Sequence, residues 1–187
     1  MHFPINASER FNGRAKGGAG FDGHTALRGD WRVVARDPQG NIVREELFSN
    51  LVVDTGLDYL LDAGLSGAVQ VSAWYIGLTG TTPTPAAGDT PASHAGWSEE
   101  TGYDESARQA WTDGGVSGQS VDNSGSVATF TVTSNGTTFG GAFLISDNTK
   151  GGSSGTLYAV GAFSGGDLTL SAGSTIQVTA TFSTQAV

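Results

Sequence analysis

The stretch Thr175-Ile-Gln-Val-Thr-Ala-Thr-Phe182 alternates Ile176, Val178, Ala180 and Phe182 with threonine and glutamine at every intervening position. A period of two sends successive side chains to opposite sides of an extended backbone, so this segment predicts a strand with one face in a core and the other in water. The pattern returns at Val127 to Thr133, through Ala128, Phe130 and Val132, and at Trp74, Ile76 and Leu78. Gly141-Ala-Phe-Leu-Ile145 and Leu157-Tyr-Ala-Val-Gly-Ala-Phe163 are apolar almost throughout, which suits central strands covered on both sides. Glycine, serine, threonine and asparagine clusters separate these runs, and no repeat of fixed period connects them. The expectation is an all-β fold, a β-sandwich or jelly-roll-like domain.

Two further elements complete the prediction. Trp31 to Arg36 and Asn41 to Phe48 flank Asp37-Pro-Gln-Gly40, where proline second and glycine fourth suit a type I turn, so this region reads as a β-hairpin. Asp54 to Gly64 reads as one short helix, with Asp54 or Thr55 as its N-cap, Gly64 as its stop, and Leu57, Leu60 and Leu61 as an apolar face that plugs one end of the β core. The chain has 187 residues and no cysteine, which bounds it to one domain plus a tail, stabilised by packing alone.

Charge divides the chain. Arg10, Arg14, Lys16, Arg28, Arg32, Arg36 and Arg44 give residues 1 to 44 a net charge of +3 after Glu9, Asp22, Asp30 and Asp37 are counted, while Arg108 and Lys150 face fourteen carboxylates in the remainder. Residues 1 to 30 are expected to form an extended, basic, glycine-studded arm carrying Phe3, Phe11 and Phe21, and residues 31 to 187 the sandwich. Aromatic side chains in an arm gain nothing unless they dock, so Phe3, Arg10, Phe11, Arg14, Lys16, Phe21 and Arg28 are the candidate partner-binding residues. The start of the chain lacks the pattern of a secretory signal, and no run reaches the ~20 apolar residues of a membrane span, so a cytosol-like location and no membrane partner are expected. A net charge of −9 argues against nucleic acid as the partner of the body.

The dense set of titratable residues is Asp89, His94, Glu99, Glu100, Asp104, Glu105 and Asp113, in the polar segment between Thr79 and Ser126. Adjacent acids such as Glu99 and Glu100 usually sit on a solvated loop, so catalysis is not expected. His2, His24 and His94 are scattered without metal-ligand spacing, and His94 is expected to hydrogen-bond within its own loop. Asp122 to Gly125 and Asp147 to Thr149 look like fragments of calcium loops without the closing glutamate and read as turns. Serine-nucleophile and nucleotide-binding motifs are absent, and no cofactor is expected. Trp31 and Trp74 are assigned to the core, whereas Trp97 and Trp111 are open either to anchor the long loop or to form a sugar-stacking platform.

Trp31 to Leu65, with Asn50-Leu-Val-Val-Asp-Thr-Gly-Leu-Asp-Tyr-Leu-Leu61 after the hairpin, resembles a stretch found among small structural proteins of tailed bacteriophages. Trp74-Tyr-Ile-Gly-Leu78 leading to Ser93-His-Ala-Gly-Trp97 and Tyr103 is similar to the same group, as is Gly141 to Ser146 through Gly155-Thr-Leu-Tyr158 to Ile176. The resemblance implies a virion component assembled in the host cytoplasm, a capsid decoration or cement protein that binds the major capsid protein through its arm. It also implies self-association, with a trimer as one arrangement. The alternative is a tail or fibre module whose loop from Thr79 to Asp113 contacts a host glycan.

Overall fold

The computed structural model describes residues 25 to 186. In chain order the elements are β1 (Thr25–Arg36), β2 (Ile42–Ser49), β3 (Leu51–Val52), α1 (Asp54–Leu61), β4 (Trp74–Thr79), β5 (Glu99–Glu100), β6 (Gln109–Trp111) and β7 (Ser120–Asp122). They continue with β8 (Ala128–Thr131), β9 (Thr137–Phe139), β10 (Gly141–Ile145), β11 (Leu157–Ala162), β12 (Leu168–Leu170) and β13 (Thr175–Ala186). The fold is all-β and sandwich-like, with a single short helix. No helix among the described residues is long and apolar enough to cross a membrane.

One sheet runs β2-β1-β13, and β13 then pairs with β7 near one end and with β8 near the other. The second runs β3-β11-β10-β4, with β5 and β6 paired to successive parts of β4, and β9 with β12 forms a two-stranded ribbon. The alternation in β13 does what its period demands: Ile176, Val178, Ala180 and Phe182 are buried against Trp31, Val33 and Ala35 of β1 and Ala142 and Leu144 of β10. Each fully buried large side chain contributes ~1.5–3 kcal/mol, which makes this cluster the main source of stability.

β10 is buried at all five positions because both of its faces are covered. Ala142 and Leu144 face the first sheet, while Phe143 and Ile145 join Val53, Leu157, Val160 and Trp97 in a second cluster. Asn123 closes the gap between β7 and β8: its Oδ1 accepts from the Ala180 N–H at 2.8 Å and its Nδ2 donates to the Val178 carbonyl at 3.3 Å. A fully buried side chain thus satisfies backbone groups of β13 that neither short strand reaches.

The hairpin forms as expected. The Gly40 N–H donates to the Asp37 carbonyl at 2.9 Å, and Asp37 Oδ1 accepts from the N–H groups of Gln39 and Asn41. Gly40 occupies the left-handed region at φ 87°, where a side chain would be strained. Those hydrogen bonds, led by the Asn41 side chain, hold the Asp37 carboxyl below its ordinary value.

Three expectations are corrected. The sheet begins at Thr25, so residues 25 to 30 are strand rather than arm: Arg28 pairs with Ser183 and Asp30 with Thr181, because β13 offers a matched partner along its whole length. The helix is capped by extended Val53 without a side-chain cap; the Asp54 N–H donates to the Ala87 carbonyl at 2.8 Å and Thr55 Oγ1 to the Leu157 carbonyl at 2.6 Å. It runs on into a wide turn, Asp62–Ser66, and Gly67 at φ 74° ends it, three residues beyond Gly64.

The third correction concerns the leucines. α1 turns Thr55, Gly56 and Tyr59 toward the sheet and leaves Leu57, Leu60 and Leu61 between 40% and 59% exposed. Gly56 lies so close to β11 that a methyl group there would overlap the Tyr158 carbonyl oxygen, and the Tyr59 ring meets Trp74 edge-on at 5.1 Å. Backbone proximity selects the small-residue face, and the leucines are rotated outward.

Candidate functional site

The polar segment between Thr79 and Ser126 is where sequence reading looks first for chemistry. Its β5 and β6 pair with β4, its β7 pairs with β13, and its two tryptophans are buried. Trp97 is buried in the outer cluster, its Nε1 donating to Asp89 Oδ2 at 2.9 Å. Trp111 is buried in the main core, its Nε1 donating to the Ala180 carbonyl at 3.1 Å. Neither presents the exposed ring face that a sugar platform needs.

A cleft of about 300 Å³ opens beside Trp97, lined by His94, Glu99, Arg108, Phe143 and Gly152 among others. Arg108 is buried and fully committed: Nε and Nη2 donate to the two Glu99 oxygens at 3.0 and 2.7 Å, Nη1 to the Asp147 carbonyl and Nη2 to the Gly152 carbonyl. Its guanidinium also lies 5.3 Å from the Phe143 ring centroid. Glu99 Oε2 accepts in addition from the Gly151 N–H at 2.9 Å. One bidentate pair therefore ties β5, the approach to β6 and the loop after β10 to a single point.

Four more acids of the set also bond to backbone N–H groups. Asp89 accepts from the Ala86 N–H as well as from Trp97, Glu100 from the Gly102 N–H, Glu105 from the Thr131 N–H, and Asp113 from the Gly115 N–H. The His94 ring stacks on Trp97 at 3.8 Å between centroids, with Nδ1 against the Trp97 carbonyl at 2.9 Å, which is the local hydrogen bond expected of it. Among the described residues, no group of three or more histidine, aspartate or glutamate side chains is arranged to hold a metal. Asp122 and Asp147 accept from the N–H groups of Ser124 and Thr149, the turns anticipated for them, and these turn bonds hold both carboxyls below their ordinary value.

Of the residues expected to bind a partner, Phe3, Arg10, Phe11, Arg14, Lys16 and Phe21 lie outside the described residues. Arg28 stands on the outer face of β1, 73% exposed and paired with Asp30 at 2.6 Å. Arg32 follows on the same face, paired with Glu45.

At the other end of β1 from the hairpin turn, the space between the sheets is open. Leu27 shares the inward face of β1 with Trp31 and Val33 but lies beyond the closed core. Together with Phe182, Val121, Tyr158, Leu60 and Val116 it lines an apolar groove of about 180 Å³. Burial pushes the Tyr158 hydroxyl up to about 12, as an apolar wall would. Of its wall residues, Leu60 is 40% and Val116 78% exposed. Sequence reading missed this surface. The available signal was Val116, an isolated apolar residue in a glycine- and serine-rich stretch with no strand to bury it.

No family model, curated protein sequence or solved structure matches the chain.

Proposed function

We propose that this chain is a non-enzymatic structural protein of a tailed-phage virion, decorating or cementing the capsid by binding the major capsid protein through the arm that precedes β1. The arm supplies Phe3, Phe11 and Phe21 for apolar pockets, Arg10, Arg14 and Lys16 for carboxylates, and the sheet adds Arg28 beside it. The observation that carries the reading is the apolar groove lined by Leu27, Leu60, Val116 and Val121 beside the first residues of β1, where the arm joins the sheet. Exposed apolar surface of this kind marks an interaction site. An acidic body in many copies repels its neighbours and stays in solvent between contacts. A glycan-receptor reading gains no support from Trp97 and Trp111, which are buried.

The test is the copy number of the chain in purified particles, measured by quantitative mass spectrometry, with the full chain carrying Phe3→Ala, Phe11→Ala and Phe21→Ala as the comparison. Hundreds of copies, lost in the triple variant while its body stays folded, are expected. A handful of copies, or undiminished incorporation of the triple variant, would sink the proposal.

A further inference from the structure

We infer that the exposed face of α1, together with the groove that its Leu60 lines, docks a basic amphipathic helix of another protein. The helix offers two unlike stripes. Leu57 and Leu61 lie four residues apart, and so do Asp54, Asp58 and Asp62, the last of which opens the wide turn that continues the helix. At about 100° per residue the leucines form one row and the aspartates the row beside it, both turned away from the buried Gly56. Leu57 is 43% and Leu61 59% exposed, and all three aspartates are exposed. Leu60 extends the leucine row sideways into the groove, where Leu27, Val121, Tyr158 and Phe182 supply further wall. A leucine ridge that runs into an apolar groove is the form in which proteins receive the apolar face of a helix.

Charge chooses the occupant. No lysine or arginine occurs between Arg44 and Arg108, and among the described residues Asp54, Asp58 and Asp62 enter no ion pair. The loop acids Asp89, Glu99, Glu100, Glu105 and Asp113, by contrast, each accept hydrogen bonds from their own fold. The aspartate row spans ~12 Å of helix. A partner helix lying alongside, with Lys or Arg on one flank at the same four-residue spacing, meets all three carboxylates while its apolar face covers Leu57, Leu60 and Leu61. The same row repels the rival occupants. A second copy that lays this face on itself sets three aspartates against three, and an anionic lipid surface or a nucleic acid meets only like charge. Exposed ion pairs are weak one by one, so burial of the leucines supplies the affinity, and the aspartates select and orient the partner.

The contact belongs to the body and does not rest on the capsid reading. The probe is a fluorescein-labelled synthetic helix of leucine and lysine, with leucine at positions i, i+3, i+4 and i+7, titrated with the full chain and followed by fluorescence anisotropy. Saturable binding is expected, weakened about tenfold or more by Asp54→Asn, Asp58→Asn and Asp62→Asn together, and to the same extent by Leu57→Ser with Leu60→Ser. The charge-matched variant Asp30→Asn, Glu45→Gln, Asp104→Asn, whose sites lie off α1, changes binding less than about twofold. All of these positions are at the surface, and circular dichroism stays unchanged in every variant. Equal losses in the two acid triples would mean that net charge alone draws the peptide, and a leucine–glutamate helix that binds as tightly would mean that charge selects nothing; either result overturns the inference. So does sedimentation of the chain with phosphatidylcholine vesicles, or a concentration-dependent dimer, that Leu57→Ser with Leu60→Ser abolishes, since lipid or a second copy then covers the face. The capsid reading is decided by particle copy number, which this titration leaves untouched.

Discussion

The loop cleft at Arg108 and the open mouth at Leu27 reverse the roles that their residue types suggest. The first is rich in acids, histidine and tryptophan, yet its polar atoms are spent on holding loops to one another. The second is walled largely by leucine, valine and aromatic side chains, yet Leu60 and Val116 on its walls are exposed. Polarity in a sequence signals function only when the groups lack partners, and apolarity signals a core only when something closes over it.

The largest effect tests the structural character of the cleft. Arg108→Ala removes one side of a buried ion pair whose side chains are 2% and 9% exposed, and a loss of about 3–5 kcal/mol is expected. Urea denaturation measures it, and a loss under about 1 kcal/mol would place the pair among surface bridges and break the contrast. Gly56→Ala comes next: the added methyl meets the Tyr158 carbonyl and forces α1 off β11, at about 1–3 kcal/mol. A lowered melting temperature is expected, and an unchanged one would mean the helix can tilt without cost.

The double variant Leu57→Lys, Leu61→Lys addresses the exposed leucine face of α1, the helix whose Leu60 lines the mouth. Both leucines are exposed, so stability stays within about 0.5 kcal/mol, while binding of a hydrophobic dye to the body falls. A loss of the size seen for core leucines, roughly 2–5 kcal/mol, would show that the leucine face is packed after all.

The smallest effect is acid sensitivity of the cleft's rim. The Asp147 carboxyl is held below its ordinary value of 3.8 first by the Thr149 backbone N–H, then by the Thr149 hydroxyl and Arg108. A carboxylate with a lowered folded pKa contributes stability that is full above the unfolded value and is lost as pH falls through the folded one. Between pH 5 and pH 2 the melting temperature therefore falls less steeply in Asp147→Asn than in the parent protein; parallel curves would remove Asp147 from the acid response.

Much of the fold was legible in the residues. The alternation of β13 and β8, the continuous apolar runs of β10 and β11, and the turn at Asp37 to Gly40 each correspond to an element of the structure. The long loop was legible as irregular cover with tryptophan anchors, but not that Trp97 and Trp111 enter two different clusters on opposite faces of one sheet. The leucines of α1 misled because helical spacing defines a stripe without saying which stripe meets the sheet. Gly56 held the answer, but its meaning depends on the Tyr158 carbonyl a hundred residues away in the chain.

Strand positions, strand faces and the turn come from covalent geometry acting over two to four neighbours, so the sequence alone determined them. The orientation of α1, the commitment of the acids to backbone amides, and the unclosed mouth at Leu27 depend on which distant segments arrive at the same place. Only the tertiary structure decided those, because a side chain becomes core, latch or exposed surface according to the partner that packing brings to it.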